Sequence, residues 1–540
     1  MPSSLARVSR NLRLVSLYTI ASRVLGLVRD AAMAARFGNG PLLDAFTVAF
    51  RIPNLARALL GEGALATAFL PAFLALRNEH GRDAANRFAV AVLIVLAGLL
   101  TALVAVAELV LCGLGWGATL SSDADLLRRL LLILTPYVGL ICVTSQLSAL
   151  LHADSRFAIP AVLLAVLNLV WLLGLWAIVP HWSEPTTQLF AMAWCVVAAG
   201  VAQLLLPLSA VWALGYRYVA DWRRAWSGVK TLFAQMAPVV GGLMITQVNV
   251  LLDSLIAWGF ARPEHGPAVM SLPGEPLYPL AAGTASALYF GQRLYQFPLG
   301  VFGVALGTVL FPLLAEHAQR GDRERLREDF SLGLRLVAAI GIPASAGLML
   351  LAGPLAALCF QYGAFDADDA AQTASMIAAY GSGVWAYCGL LIIHRGFYAI
   401  GDRMTPMRVG LGSLGLNLIG NLTLIWILGG TGLAVSTAVV SMLQCVTVGW
   451  LFRQRIGGWN GRAVAVAVLK SSFATLVMSF AVLATLRMLD HWPGWSGRGL
   501  RVLIPVAVAV VTYYATAWFV RFHEPWEMLK VGSEKSQVES

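Results

Sequence analysis

Arg23, Arg29, Arg57 and Arg293 each interrupt a long apolar stretch, and their side chains are the ones in this chain whose chemistry most needs explaining. An ionised side chain costs about 2.5 to 3.5 kcal/mol at the centre of a bilayer, so such residues face a protein cavity, water or a counter-ion. Guanidinium is a planar fork of donors suited to bidentate binding of phosphate, and a surplus of such groups in a membrane cavity implies an anionic ligand. Arg23 and Arg29 are about one and a half helical turns apart, so they point roughly 120° away from each other. A cavity reached by both must be wide, or Gly26 between them must distort the helix.

The competing explanation is neutralisation, because Asp30, Asp44 or Glu62 can pair with one or two of these cations. Arg36 and Arg51 lie near helix ends expected outside, and Arg335 and Lys470 near ends expected inside, where long side chains snorkel to the interface. Asn249 and Asp253 share a helix face at i,i+4 spacing and form a candidate ion site, set against the plain alternative of a buried, hydrogen-bonded aspartate. Gly300, Gly303 and Gly307 read as a close helix-packing face. The eight histidines do not cluster, and His394 beside Arg395 is expected at the interface. The six cysteines lie singly in apolar segments, without the paired spacing of a zinc or redox site, and read as packing residues. With no catalytic cluster, metal or cofactor signature, the chain is expected not to be an enzyme.

The elements that carry these residues follow from composition. Hydrophobic residues make up 59% of the 540 and charged residues 12%, against about 25% charged in soluble domains. A soluble core cannot absorb that much apolar surface, and the alternation of a β-barrel is absent. The chain therefore reads as an all-α polytopic membrane protein. Apolar windows of crossing length fall at 14–36, 42–76, 86–115, 127–151, 157–180, 186–214, 231–260, 284–315, 331–358, 369–399, 405–429, 431–452, 463–489 and 499–521. That is about 14 transmembrane helices. Those at 42–76 and 284–315 exceed one crossing and contain Pro or Gly, so they are expected to tilt, bend or break. The N-terminal arginines before an apolar run superficially resemble a signal peptide, but Arg23, Arg29 and Arg36 interrupt it, and it reads as a first membrane helix.

A net charge of +10 could suggest nucleic acid, but the cations fall mostly between spans. With the N-terminus inside, 24 of the 38 Lys and Arg lie in inner segments, six in outer ones and eight within spans. Positive residues accumulate on the cytoplasmic side, so both termini are expected there, with no nucleic acid as partner. The longest non-membrane piece, 262–283, is Pro- and Gly-rich and expected outside. The polar tail 524–540 is expected to lie in the cytoplasm.

The run Ser22-Arg23-Val24-Leu25-Gly26-Leu27-Val28-Arg29-Asp30 carries a resemblance, together with Asp44-Ala45-Phe46, Pro53-Asn54-Leu55-Ala56-Arg57 and Glu62-Gly63-Ala64. These residues resemble the opening of the MurJ (MviN) family of lipid II flippases, within the multidrug/oligosaccharidyl-lipid/polysaccharide exporter superfamily. Arg293-Leu294 with Phe297-Pro298-Leu299-Gly300 and Gly303 to Thr308, then Phe360-Gln361-Tyr362-Gly363, then Gly396-Phe397-Tyr398 with Asp402 and Thr405-Pro406, are similar to later family segments.

The resemblance implies two six-helix lobes around a central cavity, 1–225 and 226–455, then two helices at 456–523 forming a lipid groove. It implies translocation of the undecaprenyl-pyrophosphate-linked peptidoglycan precursor, lipid II, from the cytoplasmic to the periplasmic leaflet of the bacterial inner membrane, in service of cell-wall biogenesis and cell shape. Arg23, Arg29, Arg57 and Arg293 match the family's cavity arginines, with Ser22 and Asp44 at further functional positions. Alternating access is the expected mechanism, with the arginines on the pyrophosphate. Membrane lipid, a coupling sodium ion or proton, and the cell-wall synthesis machinery are the expected partners. Gln292 and Gln296 depart from the family in standing where acids are expected, as does Leu391 near an expected Lys. The alternatives are export of another polyprenyl-pyrophosphate-linked glycan, or multidrug cation antiport, which should place carboxylates in the cavity.

Overall fold

The computed structural model describes residues 4–117, 121–263, 269–270, 276–489 and 494–526. Parts of the 262–283 loop, the tail beyond 526 and the side chain of Glu62 lie outside the described residues. Among the described residues the regular structure is helical, with isolated backbone bridges such as that between Ala261 and Leu280.

The chain divides into two compact units. The first, to Trp258 with 263–269, holds α1 (Ser4–Phe37), α2 (Pro41–Ala56), α3 (Ala64–Gly117), α4 (Ser122–Ala153), α5 (Ala158–Leu173), α6 (Pro185–Ala213) and α7 (Trp226–Gly259). Pro41 opens α2 in the first turn, where its missing N–H has no intrahelical partner to lose. A π-helical turn, Arg57–Gly63, joins α2 to α3, and another, Gly174–Ile178, follows α5. At about 1.5 Å per residue, α3 would be far longer than a bilayer is thick. Gly81, at φ 81° and ψ 177°, divides it into the two segments read from the sequence. The core of this unit is aromatic: Phe46 and Phe50 meet Trp171 edge-on at 5.5 and 5.0 Å, which ties α2 to α5.

The second unit holds α8 (Thr284–Pro298), α9 (Val304–Arg320), α10 (Arg323–Leu350), α11 (Ala352–Phe360), α12 (Ala367–Ser382), α13 (Val384–Ala399), α14 (Met404–Leu428), α15 (Thr431–Ile456), α16 (Gly461–Leu489) and α17 (Gly494–Phe519). A π-helical turn, Leu299–Gly303, separates α8 from α9. One core joins α9, α10, α13 and α15 around Phe330, Phe397 and Phe452; a second joins α10, α16 and α17 around Ala474, Met478 and Ala517. In the second, Tyr513 donates to the Ala339 carbonyl at 2.6 Å, and Ser471 donates to that of Ala338 at 2.8 Å. Each polar group therefore finds a backbone partner inside an apolar contact.

All the stretches expected to span are helical. Ten helices among the described residues are long and apolar enough to cross a membrane, or eleven if the pair α12 and α13, bent by 42°, is one span. The other expected spans, 14–36, 42–76 and 284–315, are helical and include residues whose side chains lie outside the described ones; π-helical turns, Arg57–Gly63 and Leu299–Gly303, fall within the last two.

Candidate functional site

The N-terminal arginines do face apart. Arg29 is 4% exposed, whereas Arg23 lies on the open side of α1. α1 is unbroken through Gly26, so the expected alternative of a local distortion there is corrected. A Cβ at Gly26 would meet only Asn168 Nδ2, at an ordinary 3.8 Å.

Arg29 is held on several sides. Its Nε and Nη2 both donate to Asp30 Oδ1, at 3.0 and 2.7 Å, and Nη1 donates to Asn168 Oδ1 at 3.2 Å. The guanidinium also lies 4.5 Å from the centre of the Trp171 ring and 6.0 Å from that of Phe50. Asn168 Nδ2 in turn donates to the backbone carbonyl of Ser22 at 3.2 Å. A single α5 amide thus fixes both the start of the recognised run and its last arginine. Neutralisation by Asp30, the competing reading for Arg29, is realised. Its charge is balanced and its orientation set, which matters because a buried cation without a partner is costly. Arg23, by contrast, makes no hydrogen bond or ion pair with any described residue. Its guanidinium is exposed.

Asp44 is 1% exposed in the first turn of α2, where the helix dipole favours a carboxylate. Its carbonyl accepts the Thr47 hydroxyl at 2.9 Å. Arg57 begins the π-helical turn after α2 and is half-buried, within electrostatic reach of Cys142 in α4. Such turns widen a helix locally and often occur at functional sites.

Arg293 belongs to the second unit, where Nη2 donates to the Tyr289 hydroxyl at 2.6 Å, one turn back along α8. The guanidinium lies 4.8 Å from the centre of the same ring. Gln292 is buried and donates to Tyr380 at 3.0 Å, while Gln296 is exposed. Tyr380 packs 5.0 Å from Tyr295, which lies 4.9 Å from Tyr387. Where acids were expected, one amide is therefore committed to a tyrosine hydroxyl. In the first unit Asn249 and Asp253 do share a face: Nδ2 donates to Oδ2 at 3.4 Å, with Asp253 fully buried. Among the described residues no group of three His, Cys, Asp or Glu could hold a metal.

The snorkelling expectation is corrected for Arg51, which is enclosed by protein at 9% exposure. Arg36 donates to Gln188 at 3.0 Å. Arg335 pairs with Glu524 at 2.9 Å, and Lys470 donates to the Arg521 carbonyl at 2.8 Å. The six cysteines are all free, and Cys112 is the exposed one. The sequence did not single out Asn168, Trp171 or Tyr289. The available signal was Asn168 itself, an amide in an apolar span with a tryptophan three residues on, since such residues act as interhelical glue.

Residues 33–495 match the family model described as Lipid II flippase MurJ. The chain is similar to a probable lipid II flippase MurJ of Vibrio cholerae, 30% identical over 93% of this chain and 94% of that protein. A lipid II flippase MurJ of Burkholderia cenocepacia is likewise 30% identical, over 94% and 96%. Among solved structures, a lipid II flippase MurJ in an inward closed conformation matches with a TM-score of 0.74 at 21% identity, covering 94% of this chain and 99% of that one. An inward-facing multidrug resistance MATE family transporter of the MOP superfamily matches at TM-score 0.62 and 12% identity, over 81% and 94%.

Proposed function

The chain belongs to the MurJ family of lipid II flippases, and from that premise we propose that it moves lipid II from the cytoplasmic to the periplasmic leaflet of the bacterial inner membrane by alternating access. Fourteen crossings, both termini cytoplasmic, and lobes at 1–225 and 226–455 followed by a lipid-groove pair at 456–523 belong to the same proposal.

Arg23, Arg29, Arg57 and Arg293 supply the positive charge for the pyrophosphate, and Ser22 and Asp44 support them. The observation that carries this reading is the contrast on α1. Arg29 is neutralised and clamped by Asp30, Asn168 and Trp171, while Arg23, on the same helix, offers an uncommitted guanidinium. An exposed guanidinium suits bidentate binding of a phosphate. Pyrophosphate shifts the transporter between states only through its differential affinity for them. A sodium ion or proton at Asn249 and Asp253, or the membrane potential, at about 2.3 kcal/mol per charge per 100 mV, supplies the drive. The likeness to a MATE transporter, at 12% identity, speaks for the fold alone.

The test is growth of cells depleted of their own flippase and supplied with this chain, at matched membrane expression. Wild type should restore growth, and the alanine variants of Arg23, Arg29, Arg57 and Arg293 should fail. Normal growth with all four would remove the anion-binding role, and failure of the wild type would point to a different lipid-linked glycan.

A further inference from the structure

Away from the membrane arginines, the first unit has a cavity of about 510 Å³ lined by Arg77, Arg82, Asp154, Arg156, Leu214 and Tyr216. Three separate connections build it: the α3 break, the α4–α5 turn and the segment after α6. All three fall on the side where the cations accumulate, so the placement of this cavity at the cytoplasmic surface rests on the expected orientation.

Backbone conformations that few residues tolerate bring these groups together. Gly81 at φ 81° breaks α3 between Arg77 and Arg82, so both line one space. Ser155 at φ 58° turns the chain after α4 and presents Arg156. Gly215 at φ 88° turns the chain after α6. The last segment is then pinned to α3, because Asn86 donates to the Arg217 carbonyl at 3.1 Å and Arg87 pairs with Asp221 at 3.3 Å. The cavity is a held structure rather than a gap between loose turns.

Its charge is lopsided. Asp154 accepts from Arg77 at 2.7 Å and neutralises it. Arg82 donates to the Leu214 carbonyl and lies 5.4 Å from the centre of the Tyr216 ring, which leaves its charge uncompensated. Arg156 is exposed and makes no side-chain hydrogen bond or ion pair with any described residue. Among the described residues the lining therefore carries three guanidinium charges against one carboxylate, that of Asp154. Burial, followed by a hydrogen bond to Asp154, pushes the Tyr216 hydroxyl up to about 12, so it remains a neutral wall.

The depth of the cavity indicates where the anion comes from. Phe157, next in sequence to Arg156, and Trp212 and Tyr218, within two residues of Leu214 and Tyr216, are exposed. Exposed aromatic residues at the ends of membrane helices mark the headgroup layer. A basic pocket between helices at that depth is suited to a lipid phosphate. We propose that this cavity binds the headgroup phosphate of an anionic phospholipid of the adjacent leaflet, with Arg156 and Arg82 as the phosphate ligands and Arg77 and Asp154 as the fixed wall behind them. The site shares no residue with the proposed lipid II arginines, so its failure leaves that reading untouched.

The test is native mass spectrometry of the purified full-length chain in detergent, titrated with phosphatidylglycerol or with phosphatidylcholine. Wild type, Arg156→Gln, Arg82→Gln and the exposed control Arg223→Gln are compared. Wild type should prefer phosphatidylglycerol, and Arg156→Gln should weaken that binding about fivefold without affecting phosphatidylcholine. Arg223→Gln should match wild type. Because Arg156 has no partner among the described residues, its variant keeps the fold even if Arg82→Gln loosens the loop, and melting in lipid-free detergent checks this. Equal phosphatidylglycerol binding by wild type and Arg156→Gln would overturn the proposal. Displacement of the lipid by inorganic phosphate at matched concentration would also overturn it, assigning the cavity to a soluble anion.

Discussion

At the residue scale, much depends on one amide. Asn168 bridges the Ser22 carbonyl and the Arg29 guanidinium, and a hydrogen bond to a charged group contributes about 2 kcal/mol when its partner is buried. Asn168→Ala should therefore lower thermal stability in detergent and reduce rescue of flippase-depleted cells, since Arg29 loses its orientation while keeping its charge. Asp30→Asn should be more damaging, by about 3 kcal/mol, because it removes a carboxylate 2.7 Å from a buried cation. Restoring neutrality with Arg29→Gln in the Asp30→Asn background should recover stability but not transport. If the double variant regained transport, Arg29 would be a structural residue. The charge pattern made Arg23, Arg29, Arg57 and Arg293 legible in the sequence, because a cation in an apolar run stands out from its surroundings. Asn168 was not legible as their support, since it lies 139 residues from Arg29 and nothing local to its helix announces that contact. Arg51 was misjudged for the same reason: whether a guanidinium near a helix end reaches water or is enclosed is decided by neighbouring helices.

At the element scale, the breaks matter as much as the helices. Gly81 occupies a backbone region open essentially to glycine alone, and a Cβ there meets nothing, so the cost of substitution is conformational rather than steric. Gly81→Ala should destabilise the first unit by about 1 to 3 kcal/mol, and differential scanning fluorimetry of the purified protein would measure it. The sequence placed two helices on either side of this point without locating the hinge, because apolar windows report helices and a single glycine within a polar turn does not report its φ. The π-helical turns were foreshadowed only as bends in segments too long for one crossing.

The connection between α13 and α14 gives a pH prediction. Burial pushes the Asp402 carboxyl up, but the Thr405 N–H and hydroxyl, at 3.0 and 2.8 Å, and Arg455 outweigh it and hold the group below its ordinary value. A carboxylate depressed in the folded state stabilises above its unfolded pKa of about 3.9, and that contribution is lost as pH falls through the lower folded value. The melting temperatures of wild type and Asp402→Asn should therefore differ by a constant amount near neutrality and converge in acid. A difference that persisted unchanged below about pH 3 would contradict the assignment.

At the scale of the whole molecule, the apolar windows and the 24-to-six split of cations between expected inner and outer segments made the helical membrane class legible. The ten or eleven helices that qualify by length and composition are fewer than the fourteen windows. That count covers the described residues alone, and parts of α1, α3 and α9 lie outside them. What composition could not supply was the substrate, and family membership supplies it.

The central claim is that this chain presents lipid II on the outer leaflet through its arginines. It is tested most directly by the accessibility of lipid II to a membrane-impermeant probe, in cells depleted of their native flippase and expressing the wild type, Arg23→Ala, Arg23→Lys or Arg293→Ala. Wild type should restore labelling. Both alanine variants should remain near the depleted level, and Arg23→Lys should fall between, because lysine keeps the charge but loses the two-donor fork. Wild-type labelling by both alanine variants at matched expression would contradict the account.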